Sequence, residues 1–141
     1  VNINSSKVVI RPGERSDCAE VHRLIVALAE YEKEEASTVE VSSEQLQRDG
    51  FDARLFRLLV AAPCGEEASY PGQLVGFALF FDAYSTWVGK FLYLEDLFVE
   101  PTWRGHRVGT SLLHSVVHIA KREGCKRVRW QCLDWNKPSQ Q

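Results

Sequence analysis

FLYLEDLFVEPTWRGHRVGTSLLHSVVHIA, Phe91 to Ala120, decides the fold. It joins an apolar segment carrying two adjacent carboxylates, Glu95 and Asp96, to a basic turn containing glycine, and then to an amphipathic run. Phe91 to Val99 is dense in aromatic and β-branched residues, which pack well on a pleated surface, so it reads as a buried strand. Pro101 ends it. From Val108 onward Val108, Leu112, Leu113, Val116, Val117 and Ala120 recur at the spacing that places them on one helix face. RGHRVGT, Arg104 to Thr110, is therefore the turn that opens this helix, and the unpaired amides of a helix's first turn favour an anion.

Outward from this stretch the chain alternates. Lys7 to Arg11 reads as a short strand stopped by Pro12. Asp17 with Glu20 three residues later has the form of a capping box, opening a helix through Ala29 with Val21, Leu24, Ile25, Leu28 and Ala29 as its buried stripe. Ser42 with Gln45 opens a shorter helix that Gly50 closes. Phe56 to Ala62 and Leu74 to Phe81 read as strands joined by CGEEASYPGQ, a polar loop with the turn formers of a hairpin. Tyr84 to Gly89 turns into the Phe91 strand. Gly124 stops the Val108 helix, and Lys126 to Leu133 is a last strand.

Composition sets outer bounds. With 141 residues, 45% hydrophobic and 26% charged, the chain fits one globular domain, residues 1–141, around one core. A net charge of −2 argues against a sequence-independent nucleic-acid binder and suits a cationic substrate better. Cys18, Cys64, Cys125 and Cys132 form no C-x-x-C pair, which favours a reducing compartment, the cytoplasm by default. No apolar run reaches the length of a membrane span, and Val1 to Lys7 lacks the apolar core of a signal peptide. The absence of methionine, an initiator included, implies a processed or engineered start. His114 and His118, four apart on a helix, have no third ligand or H-E-x-x-H pattern beside them, so no metal is expected.

Arg104, Gly105, Val108 and Gly109 match the R-G-x-G-x-G/A signature of the GNAT N-acetyltransferases, and here the chain resembles that family. Arg107 stands where the family usually has its middle glycine. If that position needs positive φ, an arginine costs on the order of 1 kcal/mol, which pairing of its guanidinium with a phosphate oxygen would offset. VIRPGERSDC, LIVALAEYEK, DGF at Asp49 to Phe51, YSTWVGKFLYLEDLFV and LDWN resemble the diamine acetyltransferase branch, the spermidine/spermine and thialysine N-acetyltransferases. YSTW with LDWN looks more like the thialysine type.

The resemblance implies an α/β (α+β) fold, a mixed central sheet flanked by helices on both faces. It also implies that the last helix and strands of the domain lie beyond Gln141, together with the branch's general-acid tyrosine. A non-catalytic module that binds coenzyme A or pairs with full-length subunits is therefore an alternative, and a protein lysine acetyltransferase is another. Acetyl-coenzyme A is the implied co-substrate, a small-molecule amine the acceptor and a homodimer the assembly.

The chemistry asks for a base. An amine of ordinary pKa about 10.4 is almost fully protonated at pH 7 and must lose a proton before it attacks a thioester. By resemblance Glu95 is the catalytic residue that accepts this proton, through water, and Asp96 adds negative field. Tyr31 and Glu32 match positions lining the amine channel. Leu97, Phe98 and Val99 offer backbone groups to the pantetheine arm, where an amide could stabilise an oxyanion. Arg104, Gly105, His106, Arg107, Val108, Gly109 and Thr110 hold the pyrophosphate, and Asn136, Pro138 and Ser139 begin a segment closing over the cofactor. Read without the resemblance, EYEKEE, Glu30 to Glu35, is a solvated helix end. Adjacent carboxylates of a regular strand point to opposite faces, so one of Glu95 and Asp96 could be merely solvated or paired with a lysine.

Overall fold

A computed structural model describes residues 3–4 and 7–131. Among the described residues six strands form one sheet in the order β1-β2-β3-β4-β5-β6: β1 Ile3–Asn4, β2 Val8–Pro12, β3 Arg57–Pro63, β4 Gly76–Ser85, β5 Gly89–Val99 and β6 Val128–Arg129. Neighbours are antiparallel through β5, and β6 is parallel to β5, Leu92 facing Val128 and Tyr93 facing Arg129. A parallel return needs a crossover. α3, Val108–Arg122, supplies it, and α1, Cys18–Tyr31, and α2, Ser43–Gln47, lie between β2 and β3 in sequence.

The mixed sheet and its flanking helices are as the sequence implies. Val108, Leu112, Val116 and Ala120 of α3 pack with Ala78, Phe80, Leu92 and Leu94 on one face of the sheet. Val21 and Leu24 of α1 and Leu46 of α2 pack with Leu58, Val60, Phe77 and Phe98 on the other. Full burial of each such side chain contributes roughly 1.5–3 kcal/mol. α3 ends as glycine permits: Gly124 has φ +76°, its N–H donates to the Lys121 carbonyl at 3.2 Å, and the Cys125 N–H donates to the Ala120 carbonyl at 2.8 Å.

Several local expectations are corrected. Asp17 and Glu20 form no capping box. The Asp17 carboxylate accepts from the Glu14 N–H at 2.8 Å and pairs with Arg11 at 2.8 Å, capping a preceding turn, Arg15–Asp17. Glu20 is drawn away by Arg23, the Tyr70 hydroxyl and the Leu74 N–H. Ser42 does cap α2, its hydroxyl accepting from the Gln45 N–H at 3.0 Å, but Gly50 does not end the segment, which widens into a π turn over Arg48–Asp52. Gly50 serves a close approach there: a Cβ would lie 2.5 Å from the Phe56 ring. The β3–β4 hairpin forms with its strands displaced by one to four residues, and β1 was not foreseen. Of the last expected strand, Val128–Arg129 is formed; Cys132, Leu133 and the LDWN segment lie outside the described residues.

Candidate active site

β5 carries an irregularity that places its carboxylates. Asp96 faces Leu79 across the ladder and Leu94 faces Phe80, so Glu95 is an extra residue with no opposite number. A bulge of this kind resets the alternation of a strand. Before it, Leu92 and Leu94 point toward the α3 core; after it, Leu97 and Val99 do, while Phe98 joins the α1 core. Asp96, two residues before Phe98, shares the α1 side. The expected opposition of Glu95 and Asp96 is thus overturned by the bulge, and both line one cavity of about 570 Å³.

The end of α1 brings a third carboxylate. Lys33 adopts φ +64°, its N–H donates to the Glu30 carbonyl at 3.0 Å, and the Glu34 N–H donates to the Ala29 carbonyl at 2.9 Å. This left-handed stop turns the chain just after Tyr31 and Glu32, which line the same cavity. Among the described residues Glu32, Glu95 and Asp96 form no ion pair. Burial, then the charges of Glu95 and Glu32, push the Asp96 carboxyl up to about 6. Three unpaired carboxylates around one cavity attract cations, and a carboxyl titrating near neutrality can take or release a proton.

The other wall is cationic. Gly105 has φ +86°, and Arg107, at φ +64° and ψ 22°, is the N-cap of α3, its carbonyl accepting the Ser111 N–H at 3.0 Å. The position that resembles the family's middle glycine does therefore require positive φ. Arg104, Gly105, Arg107, Val108, Gly109 and Thr110 all line the cavity. A Cβ on Gly109 would stand 3.6 Å from Val99 and 3.7 Å from Leu97, ordinary van der Waals distances, so the helix opening lies beside β5 without crowding it. First-turn amides with two nearby guanidiniums suit a diphosphate.

The structure gathers Tyr31, Glu32, Glu95, Asp96, Leu97, Phe98, Val99 and the turn residues, with one exception. His106 is exposed and does not line the cavity; its ring lies 5.7 Å from that of Trp103. Asn136, Pro138 and Ser139 lie outside the described residues. Leu28, Leu94, Trp103, Leu113, Trp130 and Gln131 complete the lining. Sequence pattern alone does not place them: Leu28 and Leu113 are legible only as helix-face apolar residues, and nothing in the sequence distinguishes Trp103 and Trp130 from Trp87, which is 94% exposed. Among the described residues no group of three or more His, Cys, Asp or Glu side chains could hold a metal ion, and no helix is long and apolar enough to cross a membrane.

A family model described as the acetyltransferase (GNAT) family matches residues 26–141, a span that includes all of the cavity's described lining. The chain belongs to the GNAT acetyltransferase family. It is 40% identical over 136 residues to a thialysine N-epsilon-acetyltransferase of Bos taurus, covering 92% of this chain and 77% of that protein. It is 35% identical to a spermidine/spermine N(1)-acetyltransferase-like protein of Homo sapiens, covering 92% of this chain and 19% of that protein. Among solved structures, an acetyltransferase of Trypanosoma brucei matches with a TM-score of 0.71 at 22% identity, over 93% of this chain and 87% of that one, a likeness of fold alone. GNAT acetyltransferases use acetyl-coenzyme A as co-substrate. The basic turn described above fits that molecule's diphosphate, with Arg107 in place of the usual glycine as this chain's departure.

Proposed function

We propose that this GNAT chain transfers acetyl from acetyl-coenzyme A to the primary amine of a small lysine-like diamine, with thialysine as the model acceptor. The single observation that carries the reading is the convergence of Glu32, Glu95 and Asp96, none of them ion-paired among the described residues, on the cavity lined by the helix-opening turn. The likeness to thialysine acetyltransferases supports the choice of amine.

In this reading each wall has one task. The first-turn amides of α3 with Arg104 and Arg107 hold the diphosphate, and backbone groups of Leu97 to Val99 hold the adjoining arm. Acetyl-coenzyme A, when bound, supplies the activated acyl group. Glu32 and Asp96 hold the acceptor's charged end beside Tyr31. Glu95, at the unmatched position of β5, takes the proton from the attacking ammonium. The neutral nitrogen then forms the amide bond as the carbon–sulfur bond breaks, and the second proton shed by the nitrogen goes to the departing thiolate, which leaves as the free thiol of coenzyme A. The product has lost one positive charge, which weakens its hold on the three carboxylates and favours release.

The test is calorimetric titration of coenzyme A into the 141-residue chain, followed by thiol release from acetyl-coenzyme A with thialysine, spermidine or a histone-type peptide as acceptor. Saturable binding with turnover highest on thialysine is expected. Preference for spermidine would shift the substrate to a polyamine, and preference for the peptide would replace the small-molecule reading. Binding without turnover on any acceptor would leave a cofactor-binding module.

A further inference from the structure

Arg104 stands where the basic turn meets the end of α1. Its guanidinium carbon lies 4.5 Å from the centre of the Tyr31 ring and 5.8 Å from that of Phe98, and its Nε–H donates to the Val99 carbonyl at 3.2 Å. Tyr31 also meets Phe98 directly, ring centres 6.3 Å apart and tilted by 57°. One side chain of the turn therefore touches the last residue of α1 and the last two residues of β5. Glu32, next to Tyr31, is one of the three carboxylates of the opposite wall. Arg104 is in no salt bridge among the described residues, so its charge is held by aromatic faces and a carbonyl and stays available to an anion.

We propose that Arg104, seated on the Tyr31 ring, is a positioning residue that couples occupancy of the anion-binding turn to occupancy of the amine-binding carboxylates. The proposal rests on the acetyltransferase reading above. An anion at residues 104–107 fixes the turn and with it the guanidinium on Tyr31. Holding Tyr31 holds the end of α1, which carries Glu32. An amine bound at Glu32 does the converse. Two ligands that order the same contact each lower the ordering cost left to the other, which is positive linkage and is reciprocal. A half-exposed cation–ring contact supports a linkage of about two- to fivefold in affinity.

The experiment measures thialysine affinity with and without saturating coenzyme A, which binds without acetyl transfer, in the wild-type chain and in Tyr31→Leu, Tyr31→Phe and Arg104→Gln. The wild-type ratio is expected at about two- to fivefold, retained in Tyr31→Phe and collapsed toward one in Tyr31→Leu and Arg104→Gln. Tyr31→Leu changes no charge, so attraction through space between phosphates and amine survives it, whereas the contact does not. Tyr31 is 39% exposed, and an unchanged melting temperature confirms that the variant folds. If both ligands bind and the ratio is the same in Tyr31→Leu as in wild type, the coupling is wrong while the acetyltransferase reading stands. If coenzyme A does not bind the wild-type chain, both are wrong.

Discussion

Asp96 faces Leu79 across the β4–β5 ladder, while its neighbour Glu95 faces nothing. The extra residue turns Asp96 toward the α1 side of the sheet, where burial and then the charges of Glu95 and Glu32 raise its pKa from 3.8 to about 6. A carboxyl whose folded pKa exceeds its unfolded value binds more protons when folded between those two pH values, so stability falls as pH rises through that window and stays lowered above it. Asp96→Asn is expected to raise stability at pH 7.5 by on the order of 2 kcal/mol and to remove the loss between pH 4 and 6. Denaturant melts at a series of pH values would show this. A variant less stable than wild type at pH 7.5 would mean that the carboxylate has a stabilising partner.

Glu95→Gln removes the proposed proton acceptor and leaves the α3 opening intact. General-base catalysis contributes roughly 10²–10⁴-fold, so kcat is expected to fall by about that factor while coenzyme A affinity changes by less than twofold. The measurement is steady-state turnover at saturating amine beside calorimetric titration of coenzyme A. Unchanged turnover would move the role to Asp96 or Glu32.

The strands other than β1 and the two long helices were legible because apolar patterning is a property of the chain itself. What escaped depended on pairing. Nothing in FLYLEDLFV marks Glu95 as the unmatched residue, because a bulge is defined by the strand opposite. Asp17 and Glu20 satisfy the spacing of a capping box, yet Arg11, Arg23, Tyr70 and Leu74 claim their carboxylates from elsewhere in the chain. Gly50 carries the composition of a helix stop but is used for the Phe56 ring. At the site, Arg104 to Thr110 and Glu95 with Asp96 could be singled out from residue types, and Tyr31 and Glu32 only by resemblance. The contact of Arg104 with Tyr31 was visible in neither.

Arg107 holds φ +64° as the N-cap of α3 and also lines the cavity. The left-handed conformation costs a residue bearing Cβ on the order of 1 kcal/mol relative to glycine. Arg107→Gly is expected to raise the melting temperature by about 2–4 °C, and to weaken coenzyme A binding because a guanidinium is lost from the anion wall. Scanning calorimetry and titration separate the two effects. Tighter binding would show that the arginine is a strained substitution without a role at the phosphates.

Glu123 closes the far end of α3 onto the sheet. Its carboxylate meets Arg57 at 2.6 Å and Lys90 at 2.7 Å, and Asp82 shares both cations at 3.0 and 3.4 Å. Hydrogen bonds from Arg57 and then Lys90 lower the Glu123 pKa from 4.5 to about 2. A depressed carboxyl contributes stability that is fully present above its unfolded value and lost as pH falls through the folded one, here between about 4.5 and 2. The cluster is partly exposed, so screening reduces the contribution to about 1 kcal/mol at pH 7. Glu123→Gln should therefore lower the melting temperature by about 2–4 °C at pH 7 in low salt. The difference should shrink in high salt and vanish toward pH 2, while coenzyme A binding is unchanged because Glu123 lies outside the cavity lining. A difference that persists at pH 2 would assign the loss to packing at the α3 terminus, not to the ion pairs.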